Sequence, residues 1–175
     1  MLLETKRLII RPIDIKDAFD VYEYAKNPNV GLWAGFSAHK SIEETKSIIN
    51  TILKIDSYAI VLKEINKVIG TISLQKKLED IYEIGYSLSE DYWNNGYMSE
   101  AVKELVKYAF MKLNAYEIDS GCFINNIASE KVLLNNSFRY LGIQEKGFLD
   151  YNNEYHDCKR FRILRDDYME VLLWK

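Results

Sequence analysis

Proline and glycine are scarce in this chain, 2 and 8 of 175 residues, so long flexible linkers are not expected. Cysteine is limited to Cys122 and Cys158. The opening MLLETKRLIIRP is charged early and lacks an apolar core, so it is not read as a secretion signal. Without such a signal the two cysteines are expected as free thiols, and the location as cytoplasmic. No apolar run approaches the ~18 residues that span a bilayer, so no membrane partner is expected. Neither sign of charge dominates: 23 basic and 26 acidic residues give a net charge of −3. That balance gives no support for general nucleic-acid binding. His39 and His156 have no Cys or His at ligand spacing, so no metal site is expected. The nucleotide fingerprints are missing too. No G-x-x-x-x-G-K-[ST] occurs, and Gly70, Gly85 and Gly96 stand too far apart for G-x-G-x-x-G.

What is present is a chain with 48% hydrophobic and 28% charged residues, enough to build one globular domain over residues 1–175. Residues 5–11 read as a strand stopped by Pro12. A helix follows from Asp14 to Lys26, with Ala18, Phe19, Val21, Tyr22 and Ala25 as its buried side, and Asn27-Pro28-Asn29 stops it. Residues 29–40 read as a loop. Ser41-Ile-Glu-Glu44 is a capping box opening a helix with Ile42, Thr45, Ile48, Ile49, Ile52 and Leu53 on one stripe. Three strands come next, over 57–64, 68–75 and 81–88, with turns at Asn66 and Glu79-Asp80. A helix over 97–113 carries Ala101, Val102, Leu105, Val106, Ala109, Phe110 and Leu113 at helical spacing. A strand over 116–123, a helix over 128–136, a hairpin turning at Asn152-Asn153 and a helical turn or two over 166–174 complete the chain. The order, β α α β β β α β α β β, predicts an α/β (α+β) fold. Its sheet is mixed and largely antiparallel, with about seven strands and helices on both faces.

The segment YWNNGYMSEA (92–101) places a side-chain-poor turn at the mouth of a helix, where open backbone N–H groups can hold an anion. Taken alone it reads better as an ordinary helix-entry loop with a buried Trp. Its surroundings are more specific. TKRLIIRPIDIKDA (5–18), SIEET (41–45), VIGTISL (68–74), EIGYSLSEDYWNNGYMSEAV (83–102), NIASEKVLLNNSF (126–138) and YHDCKRFRILRDDY (155–168) follow one another in order. Together they resemble the GNAT superfamily of acyl-CoA-dependent N-acetyltransferases, in particular the branch of ribosomal-protein N-terminal acetyltransferases. The resemblance implies acetyl-CoA as cosubstrate, an amine acceptor as partner and no metal, and it leaves a homodimer open.

In that family the loop before the long helix follows Q/R-x-x-G-x-G/A and holds the coenzyme A pyrophosphate on backbone N–H groups. Here it reads Trp93-Asn94-Asn95-Gly96-Tyr97-Met98, followed by Ser99. Many relatives carry a Lys between the Trp and the Gly. Asn94 and Asn95 stand there instead, leaving amides and helix dipole to hold phosphate without a local cation. The resemblance runs the pantetheine arm along Tyr86, Ser87 and Leu88, with a backbone N–H near Leu88 facing the developing oxyanion. It puts Glu83 where several relatives carry a catalytic Glu, which near an apolar cleft would have a raised pKa. A solvent-facing strand residue is the alternative. The Tyr that many relatives use as thiolate acid is replaced by Leu133. Asn126 and Ser129 remain, the first to contact the coenzyme A arm or to cap a helix, the second to contact the thiol or relay a proton. Trp33 and Phe36 flank the acceptor pocket in the family, although core packing accounts for them equally. Cys122 reads as a small core residue. Lys159, Arg160, Arg162 and Arg165 form a basic cluster, either a solvated face or a surface for an acidic partner.

The expected reaction is acetyl transfer from acetyl-CoA to a primary amine. The acceptor would be a protein N-terminus or a small amine such as an aminoglycoside, polyamine or amino-acid-like metabolite. The competing class is a non-catalytic acyl-CoA-binding regulatory domain.

Overall fold

The computed structural model describes residues 1–173. Trp174, in the last expected helical turn, lies outside the described residues. The elements are β1 (Leu3–Glu4), β2 (Leu8–Pro12), α1 (Ala18–Ala25), α2 (Pro28–Ala34), α3 (Ile42–Ile48), β3 (Ser57–Leu62), β4 (Lys67–Lys76), β5 (Ile81–Leu88), α4 (Tyr97–Lys112), β6 (Glu117–Phe123), α5 (Ile127–Asn135), β7 (Arg139–Leu149), β8 (Tyr155–Leu164) and α6 (Arg165–Leu173). One eight-stranded sheet has the order β1-β2-β3-β4-β5-β6-β8-β7. Its registered pairs are antiparallel for β1/β2, β2/β3, β3/β4, β6/β8 and β7/β8, and parallel for β5/β6. The mixed, largely antiparallel sheet is therefore as expected. The extra strand, β1, precedes the expected first run of 5–11, whose own strand begins only at Leu8: Thr5 turns the chain between the two by exchanging hydrogen bonds with Leu8. Pro12 closes β2 opposite Tyr58 rather than standing beyond it.

Backbone packing divides the chain into two compact units. Met1–Ser73 with Tyr86–Ala101 form the first, and Leu74–Gly85 with the chain from Val102 onward form the second.

In the first unit, Ile13, Ala18, Val21, Tyr24, Ala25, Val30, Ile49, Ala59, Val61 and Val68 make a buried cluster. The buried arc of α1 runs through Tyr24, Val21, Ala25 and Ala18, within a third of a turn. Phe19 falls on the opposite flank and is 61% exposed, and Tyr22 sits at the margin, so neither is the core residue the pattern suggested. The expected loop 29–40 begins with a helix instead. Asn27 ends α1 and also caps α2 by accepting from Asn29 N–H at 2.9 Å, Pro28 fills the first helical position, and Gly35 closes it at φ 78°. In α3, Ser41 Oγ accepts from Glu44 N–H at 3.1 Å, but Glu44 Oε2 accepts from Lys40 N–H rather than completing the box. The chain then winds as a π-helix over Ile49–Leu53. That wider winding breaks the stripe: Thr45 and Ile49 are buried while Ile52 is 67% exposed.

In the second unit Leu105, Phe110, Ile118, Leu133, Phe161 and Ile163 are fully buried, each contributing on the order of 1.5–3 kcal/mol of apolar burial. Leu113 lies one residue past the end of α4 and is exposed. Cys122 stands opposite Lys159, and Cys158 opposite Phe123. Successive opposed pairs point to opposite faces of a sheet, so the two buried thiols are free.

Candidate active site

The first unit carries the loop. Backbone around Ser87 and Leu88 passes so close to β4 that a Cβ on Gly70 would stand 2.4 Å from Ser87 O. Ser87 Oγ and Thr71 Oγ1 lie 3.0 Å apart, and Tyr86 is half-buried. Ser89 N–H donates to Ile69 O at 2.8 Å, and Trp93 Nε1–H donates to Leu88 O at 2.8 Å. The peptide after Leu88 is thus held from both sides, which orients the neighbouring amides. Trp93 also packs against the buried cluster, which anchors the loop to the core.

After a 3-10 turn over Glu90–Tyr92 the chain enters α4 through two left-handed residues, Asn94 at φ 62° and Gly96 at φ 75°. Asn95 Nδ2 donates to Trp93 O at 2.8 Å, closing the turn on itself. A Cβ on Gly96 would meet only Arg7 Nη2, at 3.7 Å. There is room beside Gly96 at the entry to a 16-residue helix, whose first N–H groups are the kind of donors that receive an anion. Met98, which stands where the family pattern has a small residue, is buried. Tyr97 and Ser99 are half-buried in the same first turn.

The loop is not without a cation, contrary to the expectation from its sequence. Arg7 Nη1 donates to Asn95 O at 2.9 Å, Arg7 Nε pairs with Glu100 Oε2 at 2.7 Å, and the guanidinium lies 4.2 Å over the Tyr97 ring. Glu100 also accepts from Thr5 Oγ1 at 2.5 Å and from Arg7 N–H at 3.0 Å. Burial raises the Glu100 carboxyl, but these hydrogen bonds and the Arg7 charge outweigh it and leave its pKa below the ordinary value. Nothing in the local pattern of TKRL announces a contact with a loop nearly ninety residues away.

The second unit carries the other candidates. Asn126 caps α5, its Oδ1 accepting from Ser129 N–H at 3.0 Å. Ser129 is buried, and its hydroxyl hydrogen-bonds the Cys122 thiol. Burial pushes the Cys122 thiol up to about 11, with the Glu130 charge adding to it, so this sulfur is a poor nucleophile at neutral pH. Glu83 lies opposite Asp119 in the β5/β6 register, and its carboxylate pairs with Lys77 at 2.8 Å and Arg160 at 3.0 Å. Burial pushes Glu83 up, yet the hydrogen bonds and charges of Lys77 and Arg160 together hold it below the usual carboxylate range. The raised pKa expected for a base at this position is thereby corrected: two cations lower it.

The remaining candidates separate. Phe36 packs against the buried cluster of the first unit and lies 5.5 Å from the His39 ring. Trp33, in the last turn of α2, is 38% exposed. His39 is a satisfied core histidine, its Nδ1 2.9 Å from Thr45 Oγ1, and burial lowers its pKa. His156 is not isolated: its ring and the Asp150 and Glu154 carboxylates lie within 4.8 Å of one another around the β7–β8 turn. The Asp150 carboxylate is occupied there by Asn152 N–H, Glu154 N–H and His156 Nε2 at 2.8–3.0 Å. In the basic cluster, Lys159 pairs with Glu130, Arg160 with Glu83, and Arg162 with Glu117 and Asp119. Internal pairing neutralises most of the charge that would have drawn an acidic partner. No helix among the described residues is long and apolar enough to cross a membrane.

A bare turn leading from a strand of a mixed sheet into the mouth of a 16-residue helix is the arrangement expected of an acyl-CoA-dependent transferase. The Acetyltransferase (GNAT) domain family matches residues 7–139. The chain is 30% identical to the uncharacterized N-acetyltransferase YnaD of Bacillus subtilis (strain 168), over 96% of this chain and 99% of that protein. Its structure is similar to a GNAT-family acetyltransferase of Bacillus anthracis, with TM-score 0.87 and 28% identity over 95% of this chain and 99% of the other. The fold also matches RimL, a ribosomal L7/L12 alpha-N-protein acetyltransferase solved with coenzyme A. There the TM-score is 0.81, at 19% identity over 95% of this chain and 99% of the other. This chain belongs to the GNAT family, and it is an acetyl-CoA-dependent N-acetyltransferase.

Proposed function

We propose that this enzyme acetylates an α-amine at a protein N-terminus, and that it does so with little help from a side-chain base. The observation that carries the reading is the double ion pair of Glu83 with Lys77 and Arg160. A carboxylate held below its usual range takes a proton poorly. An α-amine, with pKa ≈ 7.7–8.0, is already roughly a tenth free base near neutral pH, whereas a lysine at ≈ 10.4 is well under a thousandth. Such an acceptor brings its own nucleophile. The RimL comparison supports the same acceptor class.

Acetyl-CoA supplies an acetyl group on a thioester. The residues 93–99 hold its phosphates through the N–H groups that open α4, with Tyr86, Ser87 and Leu88 along the pantetheine arm. The N–H near Leu88 is aimed at the carbonyl oxygen as negative charge develops there. As the C–N bond forms and the C–S bond breaks, the amine releases a proton to water and the sulfur gains one. Ser129, buried and with its backbone N–H held by Asn126 Oδ1, is the residue assigned to that second proton, and Asn126 fixes the turn that presents it. Trp33, 38% exposed, is the aromatic assigned to the acceptor, with Phe36, packed against the core, assigned to the same region. One domain over 1–175 carries the activity in this reading.

Thiol release from acetyl-CoA is the test, run with a panel of amines. Peptides with a free N-terminus and blocked lysines should turn over, and peptides with a blocked N-terminus and free lysines should not. Turnover of an aminoglycoside or polyamine without turnover of any peptide would reject the α-amine reading. No thiol release with any amine would favour a non-catalytic binding domain.

A further inference from the structure

The sequence motif TKRL has no role in the reaction as described above, yet its arginine reaches the phosphate loop. Arg7 spends its Nε on Glu100 and its Nη1 on Asn95 O. Its Nη2 is the heavy atom nearest to where a Gly96 side chain would begin, 3.7 Å away. Gly96 is the position at which the loop is bare. The guanidinium is fixed by three contacts of different kinds: the Glu100 ion pair, the Asn95 carbonyl and the Tyr97 ring. A planar donor with five N–H bonds, two edges of which are already engaged, presents its last edge in a set direction.

We propose that Arg7 is a phosphate-binding residue of this enzyme: it braces the loop through Asn95 and Glu100 and offers Nη2 to a coenzyme A phosphate seated at Gly96. This rests on the reading of residues 93–99 as the phosphate site. Arg7 replaces in space the lysine that the loop lacks in sequence. Its second effect is to neutralise Glu100, a carboxylate in the first turn of α4 that would otherwise repel the same phosphates. Removing the guanidinium therefore takes away an attraction and uncovers a repulsion. A lysine at position 7 would restore the charge but not the fork, because one ammonium cannot face Glu100, Asn95 O and the phosphate in a plane.

Calorimetric titration of coenzyme A into wild type, Arg7→Met and Arg7→Lys, at low and high sodium chloride, tests the assignment. Arg7→Met should raise the Kd about tenfold at low salt, the loss of one charge-assisted hydrogen bond. The gap from wild type should narrow at high salt, because part of it is long-range charge. Arg7→Lys should recover part of the loss. Should Arg7→Met not fold, Arg7→Gln gives the same comparison with two hydrogen-bonding atoms and no charge. A Kd within about twofold of wild type in the uncharged variants overturns the assignment. So does a gap of equal size at both salt concentrations, which would mark Arg7 as a loop support only. If wild type itself fails to bind coenzyme A, the loop reading has failed rather than Arg7's part in it.

Discussion

Replacing Gly96 by valine separates the cost to the fold from the cost to the ligand. Gly96 sits at φ 75°, a left-handed conformation that costs an L-residue about 1–2 kcal/mol. A β-branched side chain stands toward the upper end of that range. Space is not the difficulty in the ligand-free protein: a Cβ there would have only Arg7 Nη2 nearby, at an ordinary 3.7 Å. One to two kcal/mol corresponds to a fall in Tm of about 2–8 °C for a chain of this length. The effect on coenzyme A should be larger. A phosphate oxygen must come within about 2.9 Å of a backbone N–H, and the two methyl groups of valine would stand in that approach. Losing two charge-assisted hydrogen bonds at about 1.5–3 kcal/mol each amounts to a hundredfold or greater rise in Kd. Circular dichroism and thermal unfolding follow the fold, and calorimetry with coenzyme A follows the site. Gly96→Ala, with less backbone strain than valine and a single methyl, should fall between wild type and valine in affinity. A folded Gly96→Val protein that binds coenzyme A as wild type does would refute the reasoning and place the phosphates elsewhere.

Gly70→Ala should destabilise by on the order of 1–3 kcal/mol, since its Cβ would meet backbone at 2.4 Å; an unchanged Tm would contradict the strand geometry. Glu83 has a folded pKa below its unfolded value, so its stabilising contribution is present above about pH 4.3 and is lost as pH falls through the folded pKa. Wild type should therefore lose more Tm between pH 6 and pH 3 than Glu83→Gln, the two differing by about 1 kcal/mol or less at neutral pH. The same variant should retain kcat on a free-N-terminus peptide from pH 7 to 9; a large loss rescued by alkali would make Glu83 the base after all. Both cysteines should react with a thiol reagent once the protein is denatured, while native Cys122, with its thiol pushed up to about 11, should react slowly at pH 8. Rapid native modification of Cys122, located by mass spectrometry, would show that the pocket around it opens.

The sequence by itself determined the repeating parts of this protein. The strands over 57–64, 68–75 and 81–88 and the helix over 97–113 were legible because a period of 2 or 3.6 recurs long enough to outweigh local exceptions. The tight turn into that helix was legible because Gly96 and its neighbours form a contiguous side-chain-poor pattern leading into it. Where local winding changes, the pattern misleads. Phe19 and Ile52 fall outside the core, the first by lying on the far flank of a narrow buried arc, the second by the π-winding of Ile49–Leu53. The helix α2 was hidden because Asn27-Pro28 signals a stop and a start with the same two residues. Charge was decided by the tertiary structure alone. Glu83 looks like a base on its strand, and only the arrival of Lys77 and Arg160 makes it a held anion. The loop 93–99 looks uncharged in sequence, and only the packing of the chain's first residues brings Arg7 to it. Coulomb energy depends on separation in space, and nearly ninety residues of chain lie between Arg7 and Gly96, so no local spacing could encode that pair.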